Sequence, residues 1–374
     1  MPPQHPYEPP DDRLAALRGP RPPQAYTARK ITALTANPAC SRRAVLDAAG
    51  IDKAVLAQRM GYEPRFGQSP FAIARERDFE TLVKWGGYAE LIRLLREELG
   101  TPVEEAAVAD LNEVGGDTSL ARRANETRRL LGHLASGSDE RLILDRPVLT
   151  LEVAGQTACL EPHALTHRVG GKFYVSEIRS FPAIDGQANP TAVAQTAKQA
   201  AVSVLALHRT FEALGLDTGQ IAHEFLLICP KDFSNRPYGR LVDLRQELDA
   251  LRFQLTRLRR ADQLALALPP SATLDTDRAE SELGASVEAL DASYTPDCLS
   301  FCEMARYCRD EATDCASPAR LGGMVRNALP GVDSTRTALG YLDGTHAPGP
   351  TEEAAITRLR AAERLRRLRR GDVA

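Results

Sequence analysis

Seven cysteines are spread along this chain, and four of them constrain it more than any other residues. Cys40 stands far upstream, in Asn37-Pro38-Ala39-Cys40-Ser41-Arg42-Arg43. Cys298, Cys302 and Cys308 fall together in Cys298-Leu-Ser-Phe-Cys302-Glu-Met-Ala-Arg-Tyr-Cys308. Thiolates at such short spacings can converge on one metal centre, and a remote fourth would close it and tie together the two ends of the folded region. Gaps of three and then five intervening residues differ from the paired knuckles of common zinc fingers, whose ligands sit about two to four residues apart. They suit a centre wrapped by a C-terminal loop and helix, with Phe301, Met304 and Tyr307 shielding it from water. An iron–sulfur cluster, a zinc ion and a set of scattered core thiols are all open on spacing alone.

The other cysteines read differently. Cys159 lies in an apparent strand, Thr157-Ala-Cys-Leu, and Cys229 ends the apolar run Phe225-Leu-Leu-Ile-Cys229. Both suit core thiols, because free cysteine packs as a small hydrophobe. Cys315 is a spare or an alternative ligand. An odd number of cysteines favours ligands and buried thiols over a disulfide framework. No apolar run approaches the ~20 residues of a membrane helix, and no basic-then-apolar leader follows Met1. The expectation is a cytoplasmic protein with no membrane partner. A net charge of -3, from 47 Lys and Arg against 50 Asp and Glu, names no partner by itself. The distribution says more. Nearly all the cations are Arg, which grips phosphate with a planar fork, and they crowd at Arg122-Arg123, Arg128-Arg129, Arg257 to Arg260 and Arg358 to Arg370.

Residues 1–28 are rich in Pro, Gln and charge and are expected to form a disordered arm. Residues 29–140 read as a helical part. Its strongest segment is Phe71 to Leu99, broken at Gly86-Gly87 and ended by Gly100-Thr101-Pro102. Trp85 is expected in the core. Between 141 and 270 the period changes. Val148–Val153, Ala158–Arg168 and Phe173–Ile178 read as a three-stranded meander, followed by an Ala-rich helix at 192–214, a buried strand at 224–229 and a Leu-spaced helix at 241–266. Residues 271–330 hold the cysteine cluster, and 331–374 form a linker and a basic helix. The plan is α/β with a largely helical periphery.

Hard divalent cations need carboxylate oxygens, and a hydrolytic metal site also profits from a nearby Lys that orients water. A meander can supply these groups when one strand carries an Asp and the next a Glu-x-Lys, since residues two apart share a strand face. Here the second strand reads Leu160-Glu161-Pro162-His163-Ala164-Leu165 and the third Tyr174-Val175-Ser176-Glu177-Ile178-Arg179-Ser180-Phe181, with Gln195 and Gln199 on the helix beyond. On these residues, and on the split cysteine pattern around them, the chain resembles the RecB-type exonucleases of the PD-(D/E)XK superfamily. The likeness is to the subset with a four-cysteine cluster, the AddB nuclease domain and the CRISPR-associated iron–sulfur exonucleases, and it spans roughly Cys40 to Cys308. The resemblance implies a restriction-endonuclease-like core and a [4Fe–4S] cluster on Cys40, Cys298, Cys302 and Cys308. It also implies Mg2+ or Mn2+ at the site, single-stranded DNA ends as substrate, and protein partners in a larger DNA-repair or antiviral defence complex.

Position by position, Glu80 matches the acidic residue of the first helical motif and Glu177 the acidic residue of the third strand. Gln199 matches the helical Gln, with Ser203 in place of the Tyr four residues on. His163 stands where the family has its metal-binding Asp, and Arg179 where it has Lys. Glu80, His163 and Glu177 would be the metal ligands. An Asp-to-His change replaces a hard anionic oxygen with a nitrogen that suits Mg2+ poorly, and Arg lacks the compact ammonium of Lys. Two such changes are expected to cost on the order of 10²-fold or more in rate. The expectation is therefore a nucleic-acid-binding protein with a degenerate catalytic site. The alternatives are an active Mg2+- or Mn2+-dependent DNA exonuclease, and a scaffold that recruits a protein through its basic C-terminal helix.

Overall fold

A computed structural model describes residues 10–64, 70–100, 107–137, 143–169, 171–232, 234–295, 298–314, 318 and 323–370. The chain divides into two compact units, one made of Gln24–Pro38 and Gly67–Ala261, the other of Met1–Pro23, Ala39–Phe66 and Asp262–Ala374. Among the described residues no helix is long and apolar enough to cross a membrane.

The unit containing Gly67–Ala261 is mixed α/β. Its strands are β1 (Val108–Asp110), β2 (Ile143–Asp145), β3 (Leu149–Val153), β4 (Gln156–Leu160), β5 (Ala164–Val169), β6 (Lys172–Ile178), β7 (Ala183–Ile184), β8 (Gln187–Ala188), β9 (Ile221–Pro230) and β10 (Pro237–Asp243). Six of them form one mixed sheet in the order β1-β2-β5-β6-β9-β10. Strands β2, β5 and β6 pair antiparallel in succession. The helix Pro190–Leu214 then brings the chain back so that β9 joins β6 in parallel, a pairing that requires a crossover. Asn189 caps that helix, Pro190 opens it and Gly215, at φ 65°, ends it.

The meander is present, but two of its strands are not the expected ones. The segment near 148–153 pairs with β4 in a separate hairpin. The run 158–168 is divided at Pro162, which has no N–H to give a ladder, into β4 and β5. The strand that completes the meander is β2, too short to show a period of two. Phe225 to Cys229 in β9 are all buried, as their near-continuous apolar run implied.

The helix Pro70–Leu99 covers the sheet with Phe79, Val83, Leu91 and Leu94 against Ile178, Leu226 and Ile228. It breaks where Gly86-Gly87 allow it: both glycines and Tyr88 adopt left-handed backbone, at φ 65°, 73° and 64°. Glycine takes this conformation without steric cost. The break turns Trp85 outward to 80% exposure, which overturns its expected place in the core.

The other unit is helical where it is described. Leu14, Leu17, Val45, Leu46, Leu56, Leu283 and Val287 share one core with Cys298, Cys302, Met304 and Cys308. Residues 10–18 form a helix rather than part of a disordered arm. Leu14 and Leu17, three residues apart, are buried on one face, and the Arg13 guanidinium donates to the Pro269 carbonyl at 2.6 Å. Burying each leucine contributes about 2 kcal/mol, which composition alone does not register. Residues 1–9 and Cys315 lie outside the described residues. The expected boundary at 29–140 also gives way, since the helices Ser41–Ala48 and Lys53–Arg59 belong with the C-terminal third of the chain. A separate small core of Val332, Ala338, Tyr341 and Ile356 joins the helices Thr335–Asp343 and Glu353–Arg370.

Candidate functional site

Glu80, His163, Glu177, Arg179 and Gln199, chosen from sequence, come together in the α/β unit. Glu177, near the end of β6, is 5% exposed. Its Oε2 lies 3.0 Å from His163 Nδ1 and 2.9 Å from Arg179 Nη2. Arg179 also donates to Gln199 Oε1 at 3.0 Å and pairs with Glu76 at 3.1 Å. Glu80 faces His163 from the helix Pro70–Leu99 and is held by Lys84 at 2.6 Å and by Arg146, which bonds both carboxylate oxygens at 2.6 and 2.7 Å. Lys84 in turn pairs with Asp145 at the end of β2 at 2.6 Å and donates to the His163 carbonyl at 3.2 Å. Burial and the neighbouring Asp145 carboxylate push the Tyr88 hydroxyl up.

Sequence reasoning missed Lys84, Asp145 and Arg146. Lys84 was legible as the i,i+4 partner of Glu80. Asp145 and Arg146 close a three-residue strand and carried no local signal. Arg146 sits at φ 45°, an uncommon conformation for a side-chain-bearing residue. Gln195 is exposed, and Ser203, in the Tyr position, is buried.

The electrostatics of this cluster are self-contained. Burial pushes the Glu177 carboxyl up, but Arg179 and His163 outweigh it and hold the group below its ordinary value. At Glu80 burial acts the same way and is overcome by His163, Lys84 and Arg146. Each of Glu76, Glu80, Asp145 and Glu177 is thus committed to a built-in cation. Glu161, two residues before His163, is taken by Arg123 at 2.6 Å. Among the described residues no group of His, Cys, Asp or Glu side chains is arranged to hold a metal ion. A hard divalent cation needs uncommitted anionic oxygens, and the side chains in this cluster do not fit one.

The helical unit gathers the cysteines. Cys298, Cys302 and Cys308 are buried in one apolar core. Cys40, partly buried, precedes the helix Ser41–Ala48. Cys40 and Cys302 lie close enough to Cys308 to influence it, and Cys298 and Cys308 close enough to influence Tyr294. Burial pushes the Cys302 thiol up to about 11 and the Cys308 thiol up to about 12, against the opposing pull of Arg43 and Arg42.

Two buried arginines line this pocket of sulfur. Arg42 is 2% exposed and donates from Nη1 to Cys308 Sγ at 3.2 Å. Its other donors reach the Val287 and Leu290 carbonyls and both oxygens of Glu311. Arg43 binds Asp47 at 3.1 Å and the Phe301 carbonyl at 3.1 Å. Cys298 Sγ receives the Thr295 amide at 3.4 Å. N–H donors aimed at sulfur, an apolar surround and nearby positive charge suit thiolates and a polynuclear iron–sulfur centre, in which each thiolate binds its own iron. Cys40, Cys298, Cys302 and Cys308 offer the sulfur donors of such a group, but among the described residues they do not form a ready metal site. No protein-family model, curated protein or solved structure matches this chain.

Proposed function

We propose that this chain is a nucleic-acid-binding protein on a RecB-type, restriction-endonuclease-like core whose catalytic site has become a closed ion-pair network. In this reading Cys40, Cys298, Cys302 and Cys308 hold a [4Fe–4S] cluster, and the protein acts beside partners in a DNA-processing or defence assembly. One observation carries the reading. The positions at which this family would bind metal meet in space, and each carboxylate among them is neutralised by Lys84, Arg146 or Arg179.

The chemistry follows from that balance. A metal entering the cluster would have to displace guanidinium and ammonium groups from mostly buried carboxylates, and breaking such pairs costs about 3–5 kcal/mol each. Glu177 is held as an anion by two neighbours and is poorly placed to act as a base or a ligand. The [4Fe–4S] group, when bound, would cross-link the helices that carry its thiolates. Arg42 and Thr295 would orient two of the sulfurs by hydrogen bonding.

The test is a binding and cleavage assay on labelled single- and double-stranded DNA in Mg2+ or Mn2+. Salt-dependent retention without cleavage is expected. Metal-dependent cleavage that disappears in Glu177→Ala would establish the nuclease reading instead, and no retention at any salt would leave the scaffold. Iron and sulfide analysis of anaerobically purified protein checks the cluster, with zinc or no metal as the outcomes against it.

A further inference from the structure

The helix Glu353–Arg370 carries the densest charge of the chain. From Ala354 to Arg370 there are seven arginines, one glutamate and no lysine, in a protein whose net charge is -3. Its first turns are anchored. Ala355 and Ile356 are buried, Leu359 packs on the core with Val332, Ala338 and Tyr341, Arg360 donates to the Tyr341 carbonyl at 3.2 Å, and Glu352 accepts from the Tyr341 hydroxyl at 2.8 Å. Beyond Leu359 almost everything is open. From Arg360 to Leu368 only Glu363 is partly covered, and it is held by Arg366 and Arg367. Among the described residues Arg358 and Arg364 make no hydrogen bond or ion pair.

At 100° per residue Ala361, Leu365 and Leu368 form the middle of the open face, with Arg358 on one flank and Arg360 and Arg364 on the other. Leu365 and Leu368 are 64% and 57% exposed. Two leucines and an alanine offer far less apolar area than the roughly 800 Å² per partner of a stable protein interface. The cations dominate this surface, and they stand on both sides of a narrow strip. Phosphates arranged along two rims meet that pattern, as do the strands bordering a duplex groove. The exclusive use of arginine adds the planar fork that phosphate accepts in pairs.

Building on the nucleic-acid reading above, we propose that the open half of the helix Glu353–Arg370 is the phosphate-gripping surface of this protein. It lies along the backbone of duplex nucleic acid, with Arg358 and Arg364 as the principal contacts. Neither side chain contributes to the small core that anchors the helix, so replacing them leaves its packing intact.

The experiment titrates fluorescent random-sequence duplex with the full chain and with Arg358→Ala/Arg364→Ala, across about 50–200 mM salt. Each lost phosphate contact removes about 0.9 from the slope of log affinity against log salt. The double variant should therefore lose nearly two units of slope and roughly tenfold or more in affinity at low salt. Arg358→Lys/Arg364→Lys should keep the slope. Unchanged slope and affinity in the alanine variant would overturn the proposal while leaving nucleic-acid binding in place, with the arginines assigned to an acidic protein. Preference for anionic vesicles over duplex would overturn it in favour of a lipid surface. Absence of duplex binding by the wild-type chain would remove the nucleic-acid reading and this surface together.

Discussion

The two polar centres of this protein bury charge beside different groups. In the α/β unit, Glu80, Asp145 and Glu177 are buried with cations supplied by the chain itself, and nothing further is needed to balance them. In the helical unit, Arg42 and Arg43 are buried with Glu311 and Asp47 as their partners and with thiols alongside. Burial pushes the Cys302 and Cys308 thiols up. The first centre is complete in its own side chains. The second holds thiols as well as ion pairs. The cost of charge burial is settled separately in each place.

The largest effect that would sharpen the contrast is expected at the thiols. Cys302→Ser and Cys308→Ser should each abolish stoichiometric iron and sulfide, and with it visible absorbance. Full iron content in both variants would show that these sulfurs are ordinary core thiols. Next comes Arg42→Met. It leaves the Val287 and Leu290 carbonyls and Glu311 without their donor, and should destabilise the chain by about 3 kcal/mol in a urea melt. A change below about 1 kcal/mol would mean that water replaces Arg42 readily.

Glu177→Gln should cost roughly 2–3 kcal/mol by removing the carboxylate that pairs with Arg179 and bonds His163, and on the proposed reading it should leave DNA retention unchanged. The same variant tests the acid limb. Glu80 and Glu177 both titrate below the ordinary value of 4.5 in the folded chain. Their stabilisation is present in full above that pH and is lost as pH falls through the lowered folded values. Stability of the wild type should decline in that acid window, and the decline should be shallower in Glu177→Gln; parallel curves would count against the network. The smallest effect belongs to Trp85→Ala. At 80% exposure it should move stability by less than about 0.5 kcal/mol.

Much of this was legible along the chain. The break at Gly86-Gly87, the helix ending at Gly215 and the buried strand Phe225–Cys229 all follow from local chemistry. Glu80, His163, Glu177, Arg179 and Gln199 were identified by their positions within motifs. The helix at 10–18 was not, because a Pro- and charge-rich composition hides the two leucines that anchor it. Trp85 was misplaced because the left-handed residues after it redirect a side chain that helical periodicity would send elsewhere.

By itself the amino-acid order determined which residues could bear chemistry: the thiols, the carboxylates and the arginines, each with its propensity and spacing. Only the tertiary structure decided what those groups do to one another. Lys84, Asp145 and Arg146 reach the site through a helix and a strand about sixty residues apart in sequence. Whether a carboxylate is a ligand or half of an ion pair depends on what lies within about 3 Å of it, and that distance is set by packing rather than by sequence neighbours.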